Sequence, residues 1–390
     1  MSAARLEQYR VIVYGIGGTL FQSIDYIKSR FDIVGFSDKN ESKAKDVAQE
    51  NQPYYAPAEL PDVIFDYIVI TSDFDEEICT YLTEELHISR EKILKRQQWY
   101  RMIFHYSYGE KNPDKQFYVL SKPIRIKNGL MSNVFCFLEQ MDYVEQHHMI
   151  PVVDMQSYPS QYMEQENIGK ENAWEYFFKP VSEYTIDEVY QSKQVVLGYD
   201  DNCFFGNYHK KYNIPRYMQL WKKYIHLNSS VQQEVDKEYQ RLLAGKENVM
   251  GVLFRGTDMV NLKLKDHAIQ PTVDEMIAYM HRYQEEWGCE YIYLCTEDAE
   301  ALERFKQEFG NCLICTDQQR FDNTGTQWLA QIKGDRPNDS YLRGVEYLVT
   351  LELLARCSHM LAGVCTGSVC AEIMNDNQYE HIVMIDKGVY

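Results

Sequence analysis

The chain has 390 residues, 45% of them hydrophobic and 25% charged, with 20 Gly and 11 Pro. These are globular proportions, which exclude disorder, collagen-like repeats or coiled coil as a description of the whole and leave room for roughly two to three domains with cores of their own. Lys plus Arg number 40 against 58 Asp plus Glu, a formal net charge of −18, which opposes attraction to nucleic acid or anionic lipid, so an anionic ligand must be held by a few local arginines and backbone N–H groups.

No stretch approaches the roughly 20 apolar residues needed to cross a bilayer, and the start, MSAARLEQYR, lacks the apolar core of a signal peptide. The expected location is the cytoplasm. The ten cysteines are scattered, several in apolar segments (Cys136, Cys295, Cys365, Cys370), and are read as reduced thiols packed like small hydrophobes.

In chain order, RVIVYGIGGTL reads as an apolar strand entering a glycine turn, FQSIDYIKSR as a helix, and FDIVGFSDKN as a second strand ending in Asp38. FDYIVITSD (65–73) is a third strand, and DEEICTYLTEEL a helix with acidic residues suited to its N-terminus. The stretch 97–122 reads as a connector. From about 124 a turn and helix (KNGLMSNVFCFLEQMDYVEQHH) lead to the strand MIPVVDM, which ends in Asp154, and SSVQQEVDKEYQRLLAGK reads as a helix closed by Gly245. A further α/β run follows, with strands NVMGVLF, CEYIYLCT, CLICT, HMLAGV and HIVMI and helices over 273–287, 299–309, 340–356 and 368–375.

Several segments are candidates for chemistry. Gly15, Gly17 and Gly18 sit between a strand and a helix, where bare backbone lets a pyrophosphate approach a helix N-terminus, and Asp38 stands where a ribose-binding acid is expected; Leu20 replaces the third glycine of the full pattern, and a tight turn without ligand explains the glycines equally well. Asp73 to Asp75 resemble a metal-binding D-x-D, but at the start of a helix they read as caps. Cys312 and Cys315 lack a partner pair at zinc spacing and read as core; no metal is expected. In GVLFRGTDM a buried-type strand delivers Arg255, Gly256, Thr257 and Asp258 at its C-terminal end, where open α/β sheets place ligands; the arginine suits a diphosphate, or else simply pairs with Asp258. The polar loop 259–276 offers Asp266 and His267, beside Asp258, as general bases, with Gln270 nearby; a plain exposed loop is the alternative. The aromatic run NAWEYFF (172–178) reads as buried.

GVLFRGTD, NGLMSNVF (128–135), IYLCTEDAEALERFKQEFG (292–310) and YLRGVEYLVTLELLARCSHMLAGVCTGSVCAEIMN (341–375) together resemble, in order and spacing, the fucosyltransferase superfamily of GT-B fold, which includes core α1,6-fucosyltransferases, nodulation fucosyltransferases and protein O-fucosyltransferases. The resemblance spans about 124–390. It implies that Arg255 holds the donor β-phosphate, with Asp258 the acid three residues on. Gly256 then adjoins the donor, Glu297 and Asp298 are the acidic pair near it, and Thr366, Gly367 and Ser368 line the diphosphate. This chain departs from the pattern where Gly256 replaces a second arginine and Leu253 a histidine, and the guanine-reading aspartate falls at Thr350, or at Glu352 with a two-residue shift. The first domain resembles Rossmann-like modules attached to bacterial sugar-modifying enzymes.

The expected fold is α/β: a GT-B-like pair of Rossmann-like halves (123–248, acceptor side; 249–390, donor side) preceded by a small doubly wound Rossmann-like domain with its connector (1–122). The expected function is glycosyl transfer, inverting and metal-independent by resemblance, from a nucleotide-sugar donor, GDP-fucose first, to a glycan or polysaccharide hydroxyl. No cofactor is required; neither nucleic acid nor a transmembrane segment is expected, and peripheral contact with a membrane glycan assembly stays open. Two alternatives are an NAD-dependent sugar-nucleotide oxidoreductase or epimerase using the first domain, and a non-catalytic glycan-binding scaffold.

Overall fold

The computed structural model describes residues 4–121, 129–198, 213–263, 267–322, 325, 327, 329, 332 and 334–390, the side chains of Ala4 and Asp258 excepted. By contacts the chain divides into one unit of Met1–Ile126, Tyr143–Asp154 and Ser182–Asp201, and a second of Lys127–Asp142, Met155–Val181 and Asn202–Tyr390.

In the first unit, the short β1 (Ala4–Arg5) precedes β2 (Arg10–Tyr14), β3 (Asp32–Ser37), β4 (Tyr67–Ile70) and β5 (Ile93–Leu94). The last four form a parallel sheet in the order β3-β2-β4-β5. Val11, Val13 and Val69 face the helix Gly18–Arg30, while Ile12, Tyr14, Ile68 and Ile70 face Cys79 and Leu82 of the helix Asp75–Glu84. Strands buried on both faces carry no polar alternation, which is why they read as continuous apolar runs. Asp73 does not cap its helix: it pairs with Arg96, and Phe74 occupies the cap position without a side-chain bond. Asp75, Glu76 and Glu77 fill the first turn, where they favour the helix dipole.

The expected connector is instead structured, with a helix Arg96–Tyr100 and strands β6 (Phe104–Ser107) and β7 (Lys111–Ser121). With β8 (Ile150–Asp154) and β9 (Ser192–Leu197) they form a sheet in the order β1-β6-β9-β7-β8, antiparallel at β1-β6 and β6-β9 and parallel elsewhere. This sheet is assembled from both sides of the 122/123 boundary expected from the sequence. β7 escaped notice because its first half, KNPDK, is polar and contains Pro113, and a proline in an apparent strand argues against one.

The second unit holds β10 (Val249–Leu253), β11 (Tyr291–Cys295), β12 (Leu313–Ile314), β13 (His359–Gly363) and β14 (His381–Ile385), all parallel, in the order β12-β11-β10-β13-β14. The order reverses between β10 and β13, which makes the C-terminal ends of those two strands the switch point of a doubly wound sheet. Both strands are buried throughout. The crossover helix Val273–Trp287 starts with a capping box, Thr272 Oγ1 accepting from the Glu275 N–H and the Glu275 carboxylate from the Thr272 N–H. Helix Ser229–Leu242 ends one residue before its cap, Leu243, and Gly245 follows with φ +74. Cys312 and Cys315 pack beside the β10–β11 core, and the nine described cysteines are free. Among the described residues no helix is long and apolar enough to cross a membrane.

Leu361, in β13, is fully buried. Leu361→Ala should destabilise the second unit by about 2–5 kcal/mol, read as a lower urea midpoint for its unfolding transition.

Candidate functional site

β10 carries the chain to the switch point. The N–H of Phe254 donates to the Cys295 carbonyl at 2.9 Å, prolonging the ladder by one residue, and the Phe254 ring packs edge-on against Phe305 at 5.3 Å. With Phe254 locked in the core, Arg255 is the first residue to emerge, its side chain 23% exposed.

The turn that follows is held by the acidic pair after β11. The Thr257 N–H donates to Asp298 Oδ2 at 3.2 Å and the Thr257 hydroxyl to Glu297 Oε1 at 3.3 Å. Arg255 Nη1 lies 3.5 Å from the same Glu297 oxygen. Asp298 Oδ1 accepts the Ala301 N–H at 2.9 Å and so caps the helix Ala299–Phe309. Gly256 is demanded by this packing, since a Cβ there would stand 2.2 Å from Asp298 Oδ2. Thr257 has φ +45, a left-handed conformation that costs a β-branched residue and persists only where neighbours enforce it, typically at functional sites.

The other side of the switch point is the end of β13 and the helix Thr366–Asn375. Ser368 is fully buried: its hydroxyl accepts from the Cys365 N–H at 3.0 Å and lies 2.9 Å from the carbonyls of Gly363 and Cys365. It therefore shapes the turn and is turned away from any ligand. Thr366 is partly exposed, and Gly367 is closely backed by Tyr347, whose Oη would be 2.7 Å from a Cβ at that position.

Two tyrosines with no signal in the motifs belong to this end of the unit. Tyr162 accepts the Leu130 N–H at 2.7 Å. Burial raises the phenols of Tyr162 and Tyr347, and Arg255 works against the rise in both, with Arg343 also acting on Tyr162. Arg343 pairs with Asp339 at 2.9 Å, donates from Nη1 to the Leu329 carbonyl at 3.1 Å, and leaves Nη2 buried without a hydrogen bond among the described residues. The only sequence cue to Tyr347 was a polar-tipped ring among the apolar residues of the helix Asp339–Leu354.

Asp266 and the Asp258 side chain lie outside the described residues. The backbone carbonyl of His267 accepts the Tyr390 N–H at 3.0 Å. Gln270 is 4% exposed and donates to the Val364 carbonyl at 2.8 Å, fastening its loop to the exit of β13.

Glu352 is not brought to this site, whereas Thr350 lies under its edge, joined through Gln318 to the carbonyl of Thr296, the residue before Glu297. Thr350 is buried beneath the sheet: its hydroxyl bonds Gln318, the Glu346 carbonyl at 2.8 Å and Thr316 at 3.2 Å, and its carbonyl accepts from Tyr293. Glu352 stands in the last turn of the helix Asp339–Leu354, which returns to the start of β13, so it lies toward the N-terminal ends of the strands. The aromatic run is core, with Trp174, Phe177 and Phe178 at most 1% exposed.

In the first unit, Gly15 has φ +105, accepts the Thr71 hydroxyl at 2.6 Å, and donates to the Ser37 carbonyl at 2.9 Å. Side chains at Gly17 and Gly18 would meet open space. Asp38 is engaged with the turn itself: Oδ2 accepts the Ile16 N–H at 2.7 Å and lies 3.1 Å from Lys43 Nζ, while Oδ1 accepts the Asn40 N–H at 2.8 Å. Among the described residues no cluster of His, Cys, Asp or Glu could hold a metal ion.

A family model described as C2185-like, N-terminal matches residues 7–94. Among curated proteins none matches this chain in sequence. Solved structures similar to it include the NodZ α-1,6-fucosyltransferase co-crystallised with GDP, at 13% identity and TM-score 0.47 over 70% of this chain and 96% of that one. The fucosyltransferase NodZ from Bradyrhizobium gives 14% identity and 0.45 over 71% and 97%. The apo form of POFUT1 gives 8% and 0.40 over 70% and 99%. The architecture itself rests on the strand order above.

Gly256→Ala should drive a Cβ into Asp298, costing about 1–3 kcal/mol and weakening any ligand held by the turn; Asp298→Ala, which also loses the cap, should lower the melting temperature comparably. Both are read from thermal unfolding followed by circular dichroism.

Proposed function

We propose that the protein is a glycosyltransferase whose donor, a nucleotide diphosphate sugar, binds at the switch point of the second unit, and that the acceptor is a hydroxyl of a glycan, either a growing surface polysaccharide or a lipid-linked chain met from the cytoplasm. The observation that carries this reading is Arg255 at the end of β10, fixed through the Glu297 and Asp298 pair, on the reversal of strand order where β13 delivers Thr366 and Gly367 at a helix N-terminus.

Glycosyl transfer passes through an oxocarbenium-like transition state and leaves negative charge on the departing diphosphate. In this reading Arg255 meets that charge, being cationic at any working pH and able to take two oxygens at once. The Thr366 hydroxyl and the backbone N–H groups of the first helical turn complete the anion site, and the bare backbone at Gly256 lets the phosphate come close. Because the turn is already held by Asp298, the charges need little rearrangement as the bond breaks. Glu297 neutralises Arg255 until a phosphate arrives.

From the resemblance to the fucosyltransferase superfamily, the first donor to try is GDP-fucose, transferred with inversion and without a metal, Arg255 supplying the positive charge that meets the leaving group. The base that takes the acceptor proton is proposed among Asp258, Asp266 and His267. The halves 123–248 and 249–390 are proposed as acceptor and donor sides, and the turn of Gly15, Gly17 and Gly18 as a site with its own ligand.

Calorimetric titration of the full chain with GDP, UDP, GDP-fucose and NAD tests this. A nucleoside diphosphate should bind, and Arg255→Ala should weaken it at least about 30-fold, the loss expected when one partner of a desolvated charge pair goes, with Arg255→Lys intermediate. Binding of NAD alone, removed by Gly17→Val, would move the activity to the first domain and defeat the transferase reading.

A further inference from the structure

At the far end of the second unit from Arg255, a cavity of about 490 Å³ opens between the end of helix Ile214–Tyr224, the start of helix Ser229–Leu242 and the last turn of helix Asp339–Leu354. That volume is in the range of small-molecule sites. Trp221, 9% exposed, and Ile225 form an apolar wall. Around it stand Glu352, Lys179, Ser229 and Gln233.

Glu352 is the unusual member. It sits in a helix whose neighbours Leu351, Leu353 and Leu354 are all core, and its carboxyl makes no hydrogen bond among the described residues. Burial holds that carboxyl above the ordinary range, with Arg356 opposing and Asp236 adding to the rise. A carboxyl placed this way is costly unless something donates to it. Lys179 likewise has no carboxylate partner among the described residues, its backbone being fixed by a bond from its N–H to the His226 carbonyl at 2.8 Å.

The chemistry of the wall selects the ligand class. An anion would meet Glu352, and a cation would meet Lys179. A neutral ring bearing several hydroxyls meets neither repulsion: it donates to the carboxyl, accepts from the ammonium and the Gln233 amide, and lays an apolar C–H surface against the indole. We infer that this cavity is a binding site for a neutral sugar residue, separate from the donor site and independent of the transferase reading. It holds a sugar without transforming it, serving as an anchor for a chain of sugars.

The test is saturation-transfer NMR of the full chain with methyl β-D-glucopyranoside, methyl β-D-galactopyranoside, methyl α-L-fucopyranoside and chitotriose, alongside glucuronate and glucosamine as charged counterparts. At least one neutral sugar should receive saturation. Its affinity should fall about tenfold in Glu352→Ala and in Gln233→Ala, the loss of one good hydrogen bond, and be unchanged in Arg255→Ala. Gln233 is exposed on its helix, so its variant folds even if Glu352→Ala does not, and Glu352→Gln keeps the shape. The idea is overturned if no neutral sugar binds, if only a charged one does, or if binding is indifferent to both cavity variants. GDP titration of the same variants reads the donor site separately, so either reading can fail alone.

Discussion

One carboxylate sets the geometry of the second unit's ligand end. Asp298 divides its two oxygens between the first turn of helix Ala299–Phe309 and the backbone of Thr257, and it can approach that backbone only because residue 256 has no side chain. The left-handed φ of Thr257 is thereby tied to a helix that is itself anchored in the β10–β11 core through Leu302 and Phe305. A strained turn kept in place by a buried helix is a rigid one, and Arg255, immediately before it, inherits that rigidity.

The first unit repeats the device in another sheet. There the turn after β2 is held by Asp38, which follows the neighbouring strand β3 and accepts the Ile16 N–H, as Asp298 follows β11 and accepts the Thr257 N–H. In both places the acid at the end of the second strand steadies the turn after the first. The difference lies in what the turn presents: an arginine in one, and two glycines with open space in the other.

Periodicity and caps made most of this architecture legible. Helix Val273–Trp287 carries its start in Thr272 and Glu275, and the strands of the third sheet are unbroken apolar runs. The site was legible where a strand end met a glycine, which singled out Arg255 and Gly256, while Glu297 and Asp298 stood out only through the family resemblance. It was not legible where roles depend on which way a helical side chain points. Thr350 and Glu352 are two residues apart on one helix, yet one is bonded beneath the sheet and the other opens into a separate cavity, and no motif spacing distinguishes those directions. Ser368 looked like a ligand donor but is consumed by its own turn. Tyr162 and Tyr347 were invisible because an aromatic on an apolar face reads as core whatever its hydroxyl does.

The pairing of β1 with β6 bears on modularity. The segment recognisable as a family, 7–94, is flanked by Ala4 and Arg5 on one side and by Tyr106 and Ser107 on the other, and those flanks are hydrogen-bonded to each other. Its core also includes Phe104 and Tyr106, and its buried Arg30 donates to the Gly198 carbonyl at 2.8 Å. A transplant cut at the family's limits would carry away the helix but leave its guanidinium without that acceptor and its core without Phe104 and Tyr106. The unit of inheritance and the unit of folding do not share their borders, so a chimera that respects the latter must take the β6 strand with it.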